Sequence, residues 1–528
     1  MCSWKSAFMI WVFLLISVSS VLAEPNVVKI TSDDFLIVEG AGPRQEPATN
    51  RELRAGKNSA NSNLIDFNCD GKGDLAAASP RIDIGSAQDA GAINYIFGGA
   101  NGLSRKGNRQ LHLNRAGVPG TAQAGDLFGT SLAAGDFDGD RCTDLLIGAS
   151  GSRAVYISNA KAKAFEVQTF SQPDGVVFGN SVAAGDFDGD GDLDFAVGDP
   201  GATVNGKTFA GRIYTFYNSA GSFVAGDPFD LDTAGVKGAA KTNGLFAQKL
   251  YAFDIDFDGR DDLISANPSE NNSKGSTNIL YGAAQGLSVN GNQRIRVRGG
   301  KAGDFFSFAV SALFWDKDKF VDLIFTIPGR NNNTGGAFIL RGKASGITSK
   351  GSAFLLNPAA APGDRWGFAV DSFSLAAGNS FVYVGAPGTD LVLAAGVQTQ
   401  CDDCGSTNLI QINGNAVQLI DLNGEEFPAN RCTAAELGKS VAIVPEAETG
   451  AISFAFSVAA ACSSCDGGAG SVVEYRIPDP TTPDGVPIDP DIIKAGQAFN
   501  LDNLKGSDQG NATFASGLSV ALLCDTCR

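Results

Sequence analysis

The stretch Phe178–Gly201, FGNSVAAGDFDGDGDLDFAVGDPG, places Asp186, Asp188, Asp190, Asp192 and Asp194 at alternate positions between two apolar runs rich in small residues. Charges about 4 Å apart repel by roughly 1 kcal/mol even in bulk water. A loop this acidic therefore calls for a cation among its carboxylates. Side chains at loop positions one, three, five and nine, with a backbone carbonyl at seven, can converge on one hard ion, and six to eight oxygens at about 2.3–2.6 Å describe calcium. Glycine at position six permits the sharp turn around the ion. Magnesium wants a stricter octahedron and zinc prefers imidazole or thiolate, whereas the chain has a single histidine.

Related phrases recur along the chain: FGTSLAAGDFDGDRCTDLLIGAS from Phe128, FAQKLYAFDIDFDGRDDLISANP from Phe246, and FSFAVSALFWDKDKFVDLIFTIPG from Phe306. Copies from Trp366 and Leu437 keep the flanks and lack the acidic loop. The first copy, from Asn63, keeps the loop with a poor opening half, and Phe514 begins an opening half alone. A second apolar segment and a glycine or polar turn follow each copy, as in GRIYTFYNSAG. Short β-rich runs bounded by glycine describe a sheet of about four strands per unit of roughly 50–75 residues, and consecutive units of that size predict a β-propeller. A β-sandwich array would need units nearer 100 residues.

The halves FGNSVA and FGTSLA, the VGAPG of Val384–Gly388 and the loop DFDGDGDLD resemble the FG-GAP repeat, over nearly all of the chain after Asn63. By that resemblance the chain is similar to the propeller domain of integrin alpha subunits and related secreted proteins. The resemblance implies an all-β, seven-bladed β-propeller of four-stranded antiparallel blades over 63–528, with each acidic loop joining adjacent strands on the lower face. Residues 24–62 form an N-terminal segment, a candidate contributor to closure of the ring. Propellers remove open edges by completing one blade from both termini, so the half-repeat at 514–528 reads as the closing strand; the alternative is a chain whose eighth repeat is missing.

Five candidate sites follow. The loops Asp186, Asp188, Asp190, Asp194 and Asp254, Asp256, Asp258, Asp262 are complete, with Gly191 and Gly259 at the turn and Asp192 and Arg260 at the carbonyl position. In the loop Asp136, Asp138, Asp140, Asp144 the turn residue is Arg141. The first loop offers Asp66, Asn68, Asp70 and Asp74 around Gly71. The fifth retains Asp316, Asp318 and Asp322 but has Phe314 in the first ligand position and Lys317 and Lys319 within, which predicts a weak or empty site. Position twelve, a bidentate glutamate in helix-flanked calcium loops, is here Ala77, Ile147, Val197 and Ser265. About four structural calcium ions are expected.

Residues 1–23, with Lys5, the apolar run Ala7–Val18 and the exit Val21-Leu22-Ala23, read as a secretory signal, and no later window offers an apolar run long enough to span a bilayer. A secreted chain of formal charge −17 repels nucleic acid and anionic membranes. The close pairs Cys401/Cys404, Cys462/Cys465 and Cys524/Cys527 read as small structural disulfides, with Cys69, Cys142 and Cys432 besides; two pairs would also suit a four-thiolate zinc site. Without Cys2 the cysteine count is odd, leaving one thiol free or bonded to another chain. Asn271, Asn332 and Asn511 head glycosylation sequons. His112 reads as an ordinary strand residue. The resemblance to integrin-like propellers, whose faces bind ligands, implies extracellular recognition or adhesion toward a protein or glycan, and no nucleophile elbow or metallo-hydrolase motif appears. The alternatives are an enzyme acting on polysaccharide or phospholipid, and a structural surface or wall protein.

Overall fold

The computed structural model describes residues 65–388, apart from 101, 105, 161–164, 173–174 and 377–378, together with outlying strands between 27 and 39 and between 391 and 518. The architecture is a β-propeller of four-stranded antiparallel blades. The blade that follows the first acidic loop runs Phe128–Gly135, Asp144–Ala149, Ala154–Asn159 and Glu166–Ser171, from the innermost strand outward. The same order recurs in blades beginning at Ser181–Gly185, Lys249–Phe253, Val310–Leu313, Ala369–Ala376 and Val441–Pro445.

Among the described residues the expectation of seven blades is corrected to six complete ones, each formed by four strands from its own stretch of chain. The first unit has a poor opening half, and among the described residues it supplies Leu75–Ser79, Ala92–Ile96 and Arg109–Leu111 to its sheet. The inner place in that sheet is taken by the two-residue strand Gly517–Leu518, which pairs with Ala78 and Ala77. This strand lies between Ile452–Val458 on one side and Phe128–Gly135 on the other. Two pieces of the N-terminal segment act at outer edges instead: Leu36–Glu39 pairs with Arg294–Val297, and Val27–Val28 with Phe354–Leu355. They add a fifth strand to two neighbouring blades and cover edge groups that would otherwise face water. His112 falls just past the strand Arg109–Leu111, where its Nδ1 accepts the Asn114 N–H (3.2 Å).

Five of the repeats open with a large aromatic sealed between blades. Phe128, Phe178, Phe246, Phe306 and Trp366 are all fully buried. The next residue has positive φ in every case: Gly129, Gly179 and Gly367, but also Ala247 (64°) and Ser307 (60°). The larger indole of Trp366 is accommodated because its Nε1 donates to Asn408 Oδ1 on the same blade (2.8 Å).

The aromatic residue's backbone rests on a glycine of the preceding repeat. Gly91, Gly211, Gly275 and Gly335 have φ between 81° and 91°, and a Cβ on any of them would collide with the main chain of Phe128, Phe246, Phe306 and Trp366 respectively. The aromatic N–H then donates to the carbonyl just before that glycine, as from Phe128 to Ala90 (2.9 Å) and from Phe246 to Ala210 (3.0 Å). Glycine here sets the spacing between blades. Gly275→Ala is expected to cost about 3 kcal/mol, from a left-handed backbone and a main-chain overlap together. Its denaturation midpoint against wild type is the measurement.

Candidate metal centre

From the Asp136 loop onward each acidic loop links the innermost strand of its blade to the second, while the Asp66 loop leads into Leu75–Ser79; the fold of the loops follows from side chains that bond their own backbone. In the Asp186 loop, Asp186 Oδ1 accepts the Gly189 N–H (2.7 Å), Asp188 Oδ1 that of Asp190 (3.1 Å) and Asp190 Oδ1 that of Asp192 (2.9 Å). The Asp254 loop repeats the scheme: Asp254 accepts from Asp258 and Gly259, and Asp258 from Arg260. So does the Asp66 loop, through Asp66, Asn68 and Asp70. Successive turns of this kind curl the chain so that alternate carboxylates face one centre.

The ninth aspartate begins the second strand and is removed from water. Asp74, Asp144, Asp194, Asp262 and Asp322 are each at most 1% exposed. One oxygen accepts the N–H of loop position two, as from Phe187 to Asp194 (2.9 Å) and Ile255 to Asp262 (2.9 Å). The other accepts an N–H at the end of the third strand: Gly98 to Asp74, Asn218 to Asp194, Gly282 to Asp262 and Gly342 to Asp322, all at 2.8–2.9 Å. Burial is the largest influence on these carboxyls, and it pushes Asp74 and Asp322 up to about 7 and Asp144 and Asp194 up to about 8. Asp262 is raised well above the carboxylate range by burial, with Asp256 and Asp254 adding repulsion. The backbone donors oppose the rise and do not overcome it.

Three loops bring first, third and ninth carboxylates together, with one oxygen from each within 4.8 Å of the others: Asp136, Asp138, Asp144; Asp186, Asp188, Asp194; Asp254, Asp256, Asp262. The fifth-position residues Asp140, Asp190 and Asp258 stand outside these groups, and Asp258 is paired with the Arg260 guanidinium. A divalent cation suits this donor set. It would be all oxygen, anionic and partly desolvated, and Asp144 Oδ1 is a buried oxygen without a hydrogen-bond partner. In the first loop the third position is the neutral Asn68, leaving Asp66, Asp70 and Asp74 as its carboxylates. In the fifth, Phe314 is buried at position one and Arg341 pairs with Asp316 and with Asp318 (3.7 Å), supplying positive charge from the protein itself.

Two features of these loops escape a reading of the repeat alone. Position eight of one loop grips position one of the loop before it: the Asp186 N–H donates to Asp261 Oδ2 (2.9 Å) while the Asp261 N–H donates to the Asp186 carbonyl (2.8 Å). Thr143 does the same for Asp66, at 2.9 Å in both directions. Beside that second junction Cys69 and Cys142 form a disulfide, with Cα atoms 5.3 Å apart and a sequence separation of 73. Their only signal in the sequence is that both fall inside acidic loops. Of the close cysteine pairs, Cys401 lies in the strand Gln400–Cys401, and Cys404, Cys462, Cys465, Cys524 and Cys527 lie outside the described residues, as do Cys432 and Asn511. Asn271 and Asn332 are exposed, in equivalent left-handed turns of neighbouring blades (φ 56° and 60°), at the end opposite the acidic loops.

Arg141 takes up the backbone conformation of the glycine it replaces, with φ 72° beside 84°, 101° and 92° at Gly71, Gly191 and Gly259. A side chain held there costs about 1–2 kcal/mol. Arg141→Gly is expected to stabilise the protein by about 1 kcal/mol, seen as a higher urea midpoint with an unchanged slope.

A family model for the FG-GAP repeat matches residues 128–160 and 178–216, which cover the first two complete blades into their third strands, together with the Asp136 and Asp186 loops. No curated protein matches the chain. Among the described residues no helix is long and apolar enough to cross a membrane. The chain carries FG-GAP repeats in a β-propeller arrangement, consistent with a propeller like the N-terminal one of integrin alpha subunits.

Proposed function

We propose that the protein is a secreted, calcium-binding propeller that serves as an extracellular recognition or adhesion module, with calcium in a structural role. The fold suggests a module of this type, and FG-GAP propellers are protein-binding modules. The observation that carries the calcium reading is the set of three carboxylate clusters, each with a ninth aspartate too buried to hold its charge alone. A bound calcium ion would supply the positive charge that these carboxylates lack. Asp136, Asp138 and Asp144, and their counterparts in the next two loops, would hold it, while the backbone N–H groups on the ninth aspartate keep that carboxylate in place. At a calcium concentration tenfold above the dissociation constant, three such sites stabilise the fold by about 4 kcal/mol. The acidic loops occupy one end of the blades. The ligand, an extracellular protein or glycan, is assigned to the opposite end, where Asn271, Asn332 and the exposed Phe209 lie.

The sign of the pH dependence separates the loaded from the metal-free protein. An unfolded aspartate ionises near 4, whereas Asp144 and Asp194 without a cation hold their protons to about 8. Metal-free folding therefore takes up protons between these values, and stability falls as pH rises through that window. Calcium keeps the same carboxylates ionised, so protons compete with it and the stabilisation it gives grows with pH. In chelator the melting temperature is expected to drop between pH 5 and pH 8. In millimolar calcium the pH 8 value should be restored, and a melting temperature indifferent to calcium at pH 8 would refute the structural role. For the recognition role, immobilised protein is expected to retain specific matrix proteins or glycans from an array; a blank on both counts against it.

A further inference from the structure

We propose that the Cys69–Cys142 disulfide positions the Asp136 loop for its cation, so that breaking the bond weakens this site and spares those in the Asp186 and Asp254 loops. The inference rests on the calcium reading above. Cys142 is position seven of its loop, the residue whose backbone carbonyl completes the ligand set in loops of this spacing. Its N–H donates to Asp140 Oδ1 (2.8 Å), and Thr143 and Asp144 follow directly. The carboxylate that closes the cluster, Asp144, is 1% exposed and has an oxygen with no hydrogen-bond partner, where Asp74, Asp194, Asp262 and Asp322 each use both oxygens on backbone N–H groups. This loop thus has the ninth aspartate least held by its own blade.

Its position six is also a side chain at a left-handed turn, Arg141, where Gly191 and Gly259 stand in the other two clustered loops. The junction of the Asp186 and Asp254 loops serves as an internal comparison. There the carboxylate of Asp261 grips the Asp186 N–H, a charge-assisted bond, and no cysteine is present. At the Asp66–Asp136 junction the acceptor is the neutral hydroxyl of Thr143. The covalent bond stands at the junction with the weaker hydrogen bond.

The sulfurs differ in access: Cys69 is exposed and Cys142 is 1% exposed. A thiolate from an external dithiol would attack Cys69 Sγ, break the S–S bond and release Cys142 as a thiolate that takes up a proton. The second thiol of the reductant then displaces Cys69, so two electrons pass to the protein and the reductant ends as a disulfide. Loss of this tether returns conformational freedom to residues 139–143, which calcium must then remove on binding.

Calorimetric titration of calcium into the oxidised wild type, the reduced wild type and the Cys69→Ser/Cys142→Ser variant tests the assignment; the variant isolates this bond from the chain's other cysteines. One binding phase is expected to weaken about tenfold in the variant and on reduction, with the others unmoved. Asp136→Asn/Asp138→Asn in the wild-type background should remove that same phase. Faster amide exchange at 139–143 in the calcium-free variant is the accompanying readout, and the reduced wild type supplies it if the variant fails to fold. Isotherms and exchange unchanged by breaking the bond overturn the inference while leaving the calcium reading intact. An oxidised wild type that takes up no calcium overturns both.

Discussion

A carboxylate sealed from water at the start of the second strand, held by backbone N–H groups of its own loop and usually of the third strand, ties the geometry of each acidic unit to its charge. Asp194 shows the device in full: it accepts from Phe187 and from Asn218, so three parts of one blade meet on a single side chain. The same burial makes the negative charge costly, and the neighbouring aspartates at positions one and three raise the cost further. Relief must come from a proton, a bound cation or a basic side chain. The Phe314 loop takes the last course, with Arg341 paired to Asp316 and Asp318. In the three clustered loops the described residues leave the carboxylates facing one another.

Spacing between blades is governed separately, by main chain against main chain. Gly211 and Gly275 admit the backbones of Phe246 and Phe306 at distances that no β-carbon allows. With the blades set this close, position one of one loop falls within hydrogen-bond reach of position eight of the next, and Asp186 meets Asp261. The acidic loops are in this way joined in two pairs, one of them reinforced by a covalent bond where Thr143 stands in place of a carboxylate. At the outer edges the segments Val27–Val28 and Leu36–Glu39 add strands to two adjacent blades, and Glu39 pairs with Arg296 there.

The alternation of Asp186, Asp188 and Asp194, the aromatic at Phe178 and the glycines around them are local properties, and the repeat made them readable before any coordinates. A turn built from side chains bonding backbone two to five residues away needs no distant partner, and a buried strand rich in small residues carries its own pattern. Less legible was the number of complete blades: a unit with a poor opening half still reads as a repeat, although its sheet must borrow Gly517–Leu518 from the far end of the chain.

What the amino-acid sequence determined by itself was therefore the blade, the curl of each acidic loop and the carboxylates at loop positions one, three and nine. Only the tertiary structure decided which loops touch: that Cys69 meets Cys142, that Thr143 and Asp261 reach back to Asp66 and Asp186, and that Leu36–Glu39 lies on the edge at Arg294–Val297. These partners are separated by dozens to hundreds of residues. No periodicity records such contacts, because they arise from the rotation between neighbouring sheets as they pack around a common axis.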